Sequence, residues 1–290
     1  MNYPEYRGRF APSPTGPLHF GSLVTALASF LEARSQGGQW LIRIEDLDPL
    51  REPPEATGQI LNSLDAHGLF PDEPVRFQSR RHNAYQDAID RLLDSGNAYR
   101  CQCSRKELHA NHGLHPNQCR IRKDMDGNRP YAIRFALKDE NCHWQDLLLG
   151  PQHQTVKAEL DDPVILRKEG FYAYQLAVVV DDIDQGITDV VRGSDLLDMT
   201  AQQQQIYRAL GAEPPRWLHI PVILNEQGQK LSKQTHAPAL NDSLPAKNLF
   251  RALQALGQNP PDTLAKTSVD SLLDWGRSHW RRSAIPLTSR

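Results

Sequence analysis

The chain has 290 residues, 39% of them hydrophobic, with 33 Lys+Arg against 35 Asp+Glu and four cysteines. That composition excludes a disordered chain and a disulfide scaffold, and a net charge of −2 argues against a protein that coats nucleic acid non-specifically. The longest apolar run, Leu176–Val180, is far short of the roughly 18 residues of a membrane span, and the N-terminus lacks a signal-peptide core, so a cytoplasmic protein with no membrane partner is expected.

The first fifty residues predict a βαβ unit. Arg9-Phe10-Ala11 is a short strand, and Pro12, Pro14, Gly16 and Pro17 impose a turn-rich loop. From Ser22, the apolar residues Leu23, Ala26, Leu27, Phe30 and Leu31 recur at helical spacing until Gly37-Gly38. Trp40–Glu45 predicts the returning strand, which implies a right-handed crossover and a parallel sheet. Residues 55–68 and 82–95 predict helices that end at Gly68 and Gly96. The apolar run of residues 173–180 predicts a second buried element of the sheet. Residues 200–210 predict a helix, 220–224 a strand, and 246–256 and 269–282 two further helices.

Charge is uneven along this order. Between Arg76 and Arg134 stand twelve Lys/Arg and six Asp/Glu, a local +6 against −8 in the remainder. Such a segment suits a polyanion, although solvated helices rich in arginine give the same pattern.

Three constellations carry chemistry. The loop Pro12–Ser22 joins a strand to a helix, so backbone N–H groups and the positive helix end can meet phosphate, with His19 as a further donor. It matches neither G-x-x-x-x-G-K-[ST] nor G-x-G-x-x-G. Far downstream, Lys230-Leu231-Ser232-Lys233-Gln234 offers two lysines able to neutralise a triphosphate. Cys101, Cys103 and Cys119 fall within nineteen residues, with His109, His112 and His115 between them. Three thiolates so spaced suit a structural Zn²⁺ site. His115 is the expected fourth ligand, with His109, His112 and a water as competitors. Asp46 and Asp48 are expected to be loop and cap carboxylates rather than a metal pair, and Cys142 a small buried hydrophobe.

Taken together, His19-Phe20-Gly21-Ser22 and Lys230-Leu231-Ser232-Lys233-Gln234 resemble the HIGH and KMSKS signatures of class I aminoacyl-tRNA synthetases. Arg9–Gly16 and Arg43-Ile44-Glu45-Asp46-Leu47-Asp48 resemble the glutamyl/glutaminyl branch. Ser22 replaces the last His of HIGH and Gln234 the last Ser of KMSKS, which spares the first histidine and both lysines. The resemblance implies an α/β fold. Its Rossmann-like core would comprise 1–75 and 173–240, interrupted by a zinc-containing insertion at 76–172 and followed by a short helical part at 241–290. It implies catalytic roles for His19, Lys230 and Lys233. ATP, carried with Mg²⁺, would meet Pro12, His19, Gly21, Ser22 and residues 230–234. L-glutamate would meet Arg9, Ala11, Ser13, Glu45, Tyr174 and Arg192, with Glu45 on its ammonium and the arginines on its side-chain carboxylate.

Only 56 residues follow Gln234, too few for the anticodon-binding domain of a full glutamyl-tRNA synthetase. The chain therefore most resembles a truncated paralogue within that family, and this resemblance implies a monomer that makes glutamyl-adenylate without tRNA. It would pass glutamate to the queuosine base at the wobble position of tRNA(Asp), with the basic insertion on the anticodon stem-loop. The rivals are a minimal synthetase that charges a tRNA 3′ end, a non-catalytic glutamate or adenylate sensor, and a small-molecule nucleotidylyltransferase, which the Glu45/Arg192 pocket and the zinc insertion disfavour.

Overall fold

The computed structural model describes residues 5–110, 118–121, 125–157, 162–225, 227–231 and 237–288. In chain order, strand β1 is Arg7–Phe10, helix α1 Phe20–Ser35 and strand β2 Gln39–Ile44. Helix α2 is Ala56–Ala66, strand β3 Arg76–Phe77 and helix α3 His82–Asp94. Next come β4 (Ala98–Cys101), α4 (Arg105–Ala110) and β5 (Ala132–Phe135). These lead to the hairpin β6 (Glu140–Asp146) and β7 (Gly150–Val156), and then β8 (Val164–Leu166). The chain returns through α5 (Tyr174–Asp184), β9 (Asp189–Gly193), α6 (Thr200–Ala209) and β10 (Arg216–Ile220). It closes with α7 (Pro245–Ala255) and α8 (Val269–His279).

Among the described residues, the larger sheet runs β3-β2-β1-β9-β10-β6-β7, parallel throughout except for the antiparallel β6–β7 hairpin. After β1 the chain builds outward to β2 and β3, and later returns to add β9 and β10 on the opposite side of β1. The strand order therefore reverses between β1 and β9, and an open parallel sheet leaves its crevice beyond the carboxyl ends at that point. A separate antiparallel sheet, β4-β5-β8, lies within the segment between the two halves. Asp162 anchors it, accepting from the Tyr99 hydroxyl, the Arg120 guanidinium and the Leu137 N–H.

One face of the larger sheet packs against α1, α7 and α8, with Leu23, Leu27, Phe30, Leu31, Leu253 and Leu272 fully buried. Because α1 lies between sheet and helices, it is apolar nearly all round rather than amphipathic. Gly276 of α8 gives the room, since a Cβ there would sit 3.1 Å from Leu31 Cδ2. The other face carries α3, α5 and α6 around Tyr85, Ile89, Leu176, Val179 and Ile206. Helices α2 and α3 end near Gly68 and Gly96, both with positive φ (69° and 70°), as a left-handed stop requires.

Two sequence expectations shift. The run at 173–180 is not a sheet strand but lies in helix α5; its valines have strand propensity, and burial between the sheet and two helices overrides it. The strand expected at 220–224 is instead Arg216–Ile220, because Pro221 has no N–H to continue the ladder. None of the described helices is long and apolar enough to cross a membrane.

Candidate active site

Beyond the carboxyl ends of β1, β2, β9 and β10 lies a cavity of about 680 Å³. Its wall brings together Arg9, Ala11, Pro12, Ser13, His19, Gly21, Ser22, Glu45, Tyr174, Arg192, Lys230 and Leu231, residues separated by up to 222 positions. Ser232, Lys233 and Gln234 lie outside the described residues.

The loop from Ala11 to His19 forms one wall. Gly16, at φ +151°, adopts a backbone few other residues accept. The Pro12 carbonyl accepts the Glu45 N–H at 3.0 Å, which ties the end of β2 to this loop. His19 caps α1, its Nδ1 accepting the Ser22 N–H at 3.2 Å, so the ring proton sits on Nε2. Gly21 leaves space for this ring, as a Cβ there would press on it at 3.2 Å. The amino end of α1, with its orphan N–H groups, thus meets the cavity beside an imidazole donor.

The opposite wall is the hairpin around Asn225–Gln229, closed by the Leu231 N–H donating to the Ile223 carbonyl at 2.8 Å. Lys230 Nζ bonds Asp195 Oδ2 at 2.6 Å. Asp195 follows Gly193, where any side chain would collide with its carboxylate. A cation is thereby held at the rim, where a polyphosphate can compete for it.

The floor holds the buried charges. Arg9 makes a bidentate pair with Asp182, Nε–Oδ1 3.0 Å and Nη2–Oδ2 3.2 Å, and Arg43 Nη1 meets the same carboxylate at 2.7 Å. Tyr207 donates to it as well, at 3.0 Å. The two guanidinium groups hold Asp182 below the usual carboxylate range despite its burial. Asp181, its neighbour, accepts from Gln78, Arg81 and Tyr85. Glu45 Oε1 lies 3.4 Å from Arg43 Nη2, and burial pushes its carboxyl up to about 7 even though Arg43 and Arg9 oppose the shift. Tyr174 opens α5 at the same depth, its hydroxyl pushed above the ordinary range by burial.

Arg192 differs from its neighbours. Its Nε donates to His219 Nε2 (2.9 Å), Nη1 to Gln203 Oε1 (2.7 Å), and Nη2 to Thr200 Oγ1 (2.9 Å) and the Leu196 carbonyl (3.3 Å). Every described partner is neutral. Burial pulls this guanidinium below its ordinary value, as expected of a cation with no anion beside it. Such a group is a ready receptor for a carboxylate.

Sequence reasoning did not single out Asp182, Asp195, His219, Asp146, Gln203 or Thr200. Asp182 had a visible signal in the acidic pair closing the apolar run. The side-chain partners of Arg192, His219 on β10 with Gln203 and Thr200 on α6, lie outside its own strand, with nothing in the local pattern to mark them.

The cysteine cluster lies apart, at the end of β4 and the 3₁₀ turn Gln118–Arg120. The sulfur atoms of Cys101, Cys103 and Cys119 lie within 4.8 Å of one another, those of Cys103 and Cys119 at 3.4 Å. Burial and the adjacent thiols push Cys103 up to about 12. Three converging sulfurs fit a soft divalent cation. His109 is exposed and is not part of the cluster; His112 and His115 lie outside the described residues. Asp46 accepts from the Ser79 N–H and hydroxyl, and Asp48 from Arg51 and Arg167, so both are loop carboxylates with protein partners. Cys142 is buried, as expected.

This fold, with a phosphate-ready helix end and an amino-acid-sized charged floor, defines a class I synthetase core. The family model "tRNA synthetases class I (E and Q), catalytic domain" matches residues 5–257. Among curated relatives, a glutamyl-Q tRNA(Asp) synthetase of Vibrio vulnificus (strain CMCP6) is 46% identical over 99% of this chain and 93% of its own. One of Pseudomonas aeruginosa (strain LESB58) is 48% identical over 97% and 96%. Among solved structures, a glutamate-tRNA synthetase from Elizabethkingia anophelis superposes with TM-score 0.81 at 27% identity, over 97% of this chain and 67% of that one. Methionyl-tRNA synthetase of Mycobacterium tuberculosis, at 11% identity and TM-score 0.53, shares the fold.

The chain belongs to the glutamyl/glutaminyl class I tRNA synthetase family and is a synthetase-type ligase.

Proposed function

We propose that the chain activates L-glutamate with ATP, without tRNA, and transfers the glutamyl group to the queuosine base at the wobble position of tRNA(Asp). The observation that carries the amino-acid half is the buried Arg192, whose described partners are all neutral, across the cavity from the α1 amino terminus. In this reading Arg192 takes the side-chain carboxylate and Glu45 the α-ammonium. Ala11 and Ser13 line the space between them, with Tyr174 and Arg9 completing the pocket. Arg9 acts through its field, because its guanidinium is committed to Asp182. The names of the relatives support the queuosine half.

The α-carboxylate oxygen of glutamate attacks the α-phosphorus as the bond to the bridging oxygen of pyrophosphate breaks. His19 Nε2–H, the Gly21 N–H at the start of α1 beside Ser22, and Lys230 face the charge that builds on the phosphates. Lys233, with Ser232 and Gln234 beside it in the sequence, would add charge and donors for the same phosphates, and Mg²⁺ arrives with ATP. A hydroxyl of the queuosine cyclopentenediol then attacks the acyl carbon, its proton leaves, and AMP departs. No protein nucleophile is required, because the adenylate is already activated. A second cavity of about 290 Å³ shares Ser13, Thr15, Glu45 and Tyr174 with the first and offers the accepting nucleotide a separate approach.

Zn²⁺ would be held by Cys101, Cys103 and Cys119 with His115, bracing the insertion at 76–172 between the core halves 1–75 and 173–240. Its basic surface would then meet the anticodon stem-loop. The enzyme would work as a cytoplasmic monomer, and purified protein should carry about one equivalent of zinc.

Glutamate-dependent ATP–pyrophosphate exchange without tRNA tests the first step. Labelled glutamate should then enter queuosine-containing tRNA(Asp) and neither queuosine-free tRNA(Asp) nor tRNA(Glu). Charging of tRNA(Glu) would replace this reading with that of a minimal glutamyl-tRNA synthetase.

A further inference from the structure

Behind Arg192 lies a buried group that the steps above do not use. His219 is fully buried in β10, directly opposite Arg192 of β9 in the parallel register. Its Nδ1 is 2.6 Å from Asp146 Oδ2, and Asp146, at the end of β6, is buried too. The sheet itself aligns the three, since β6 pairs with β10 at Asp146–Trp217 and β10 with β9 at His219–Arg192.

The proton positions follow from donor chemistry. A guanidinium Nε–H can only donate, so His219 Nε2, 2.9 Å away, must accept. The ring proton is therefore on Nδ1, where the Asp146 carboxylate receives it. That carboxylate also accepts the N–H groups of Leu148 (2.9 Å), Leu149 (2.8 Å) and His219, which hold it ionised in spite of burial. The result is a carboxylate, a neutral imidazole and a guanidinium in line. The Gln203 amide is likewise fixed: its Oε1 accepts from Arg192 while its Nε2 donates to Gln175 Oε1 at 3.0 Å.

We propose that His219, set by Asp146, is a positioning residue for Arg192, fixing the angle of the guanidinium and making the pocket select a carboxylate over an amide. The proposal rests on Arg192 receiving the side-chain carboxylate of the substrate. A carboxylate bonded directly to Arg192, as Asp182 is to Arg9, would satisfy the cation and weaken its pull on a ligand. Placing an imidazole between them moves the negative charge one ring away while keeping the orientation. It also occupies Nε2, the acceptor to which the amide N–H₂ of glutamine could otherwise donate. Glutamine then meets donors where it needs an acceptor, and an unpaired buried polar group discriminates strongly.

The test is glutamate-dependent pyrophosphate exchange by the full chain, with KM measured for glutamate and for ATP and the kcat/KM ratio of glutamate over glutamine. His219→Phe should raise the glutamate KM about tenfold or more and narrow the glutamate preference by a similar factor. The ATP KM should stay within about twofold. His219→Gln, which restores an acceptor, should recover part of both losses, and Asp146→Asn should shift them in the same direction as His219→Phe. An unchanged glutamate KM and ratio in a folded His219→Phe, while Arg192→Lys raises that KM, overturns the positioning role alone. If Arg192→Lys changes nothing either, the carboxylate pocket itself is wrong and the proposal falls with it. Should the histidine variants fail to fold, ¹⁵N NMR of the unaltered protein decides the matter at neutral pH. An Nδ1-protonated His219 that responds to added glutamate supports the relay, and a proton on Nε2 overturns it.

Discussion

Two buried arginines in one cavity are treated in opposite ways. Arg9 is locked to Asp182 through two hydrogen bonds, and Arg43 shares that carboxylate. Arg192, at similar depth, has His219, Gln203, Thr200 and a carbonyl. A buried cation with its own anion is part of the scaffold, and removing either partner strands the other. A buried cation with neutral partners is held at a cost that only a bound anion relieves. The first arrangement fixes the geometry of the floor, and the second leaves an unmet charge facing the cavity. Stability and substrate affinity should therefore separate between them.

The sharpest way to break that contrast is Arg192→Ala. Loss of the anion receptor should lower kcat/KM for glutamate in pyrophosphate exchange by about 10²–10³, the range for truncating one member of a buried charge pair. Because this cation has no described counter-ion, the loss in urea unfolding should come only from the buried acceptors left unpaired and stay below that of Asp182→Ala. A large loss of stability would show that Arg192 belongs with the scaffold. Asp182→Ala is the mirror experiment. It strands Arg9 without a described counter-ion, leaves Arg43 to Glu45 and Asp181, and should cost about 3–5 kcal/mol in urea unfolding. A cost under about 1 kcal/mol would mean that water or Glu45 takes over and that the paired floor is not the scaffold element argued above.

Glu45 lies between these extremes, since Arg43 touches it yet burial raises its carboxyl to about 7. Below that pH it is mostly protonated and offers an ammonium little; above it the carboxylate is present. The glutamate KM should therefore fall as pH rises from 6 to 8, by up to about tenfold if Glu45 is the dominant titrating group. Glu45→Gln should flatten the profile at its high-KM end. A profile that keeps its slope in the variant assigns the titration elsewhere.

The sequence shows the parts of this site that the chain order announces. The Pro12–Ser22 loop, Glu45 at the end of β2 and the Lys230 hairpin are motifs in which spacing and residue type speak together. Their gathering at one cavity follows from parallel strands on either side of β1. The partners of Arg192 are not legible in this way. His219 is one polar residue in a buried strand, Asp146 ends another, and Thr200 and Gln203 share helix α6. Strand register brings His219 to the guanidinium with Asp146 behind it, and the packing of α6 brings Thr200 and Gln203. The run at 173–180 fails for a related reason. A short valine-rich stretch suits a strand or a helix buried on both sides, and the tertiary contacts with the sheet, α3 and α6 decide. Composition does report Asp181-Asp182 beside that run, but a buried helical turn that pairs with Arg9, Arg43 and Arg81 cannot be told from a solvated cap without those arginines in place.

The smallest expected effect supplies the scale for the others. Arg277 and Asp274 form a pair at 3.3 Å, one turn apart on α8, with the Asp274 side chain 73% exposed. Water solvates both members whether or not they meet, so Asp274→Ala should change stability by no more than about 0.5 kcal/mol and leave glutamate activation unaltered. The same kind of ion pair is thus expected to differ several-fold in consequence between α8 and the cavity floor. If Asp274→Ala and Asp182→Ala cost the same in urea unfolding, burial is not what separates them. The distinction between a paired floor and an unpaired receptor would then lose its physical basis.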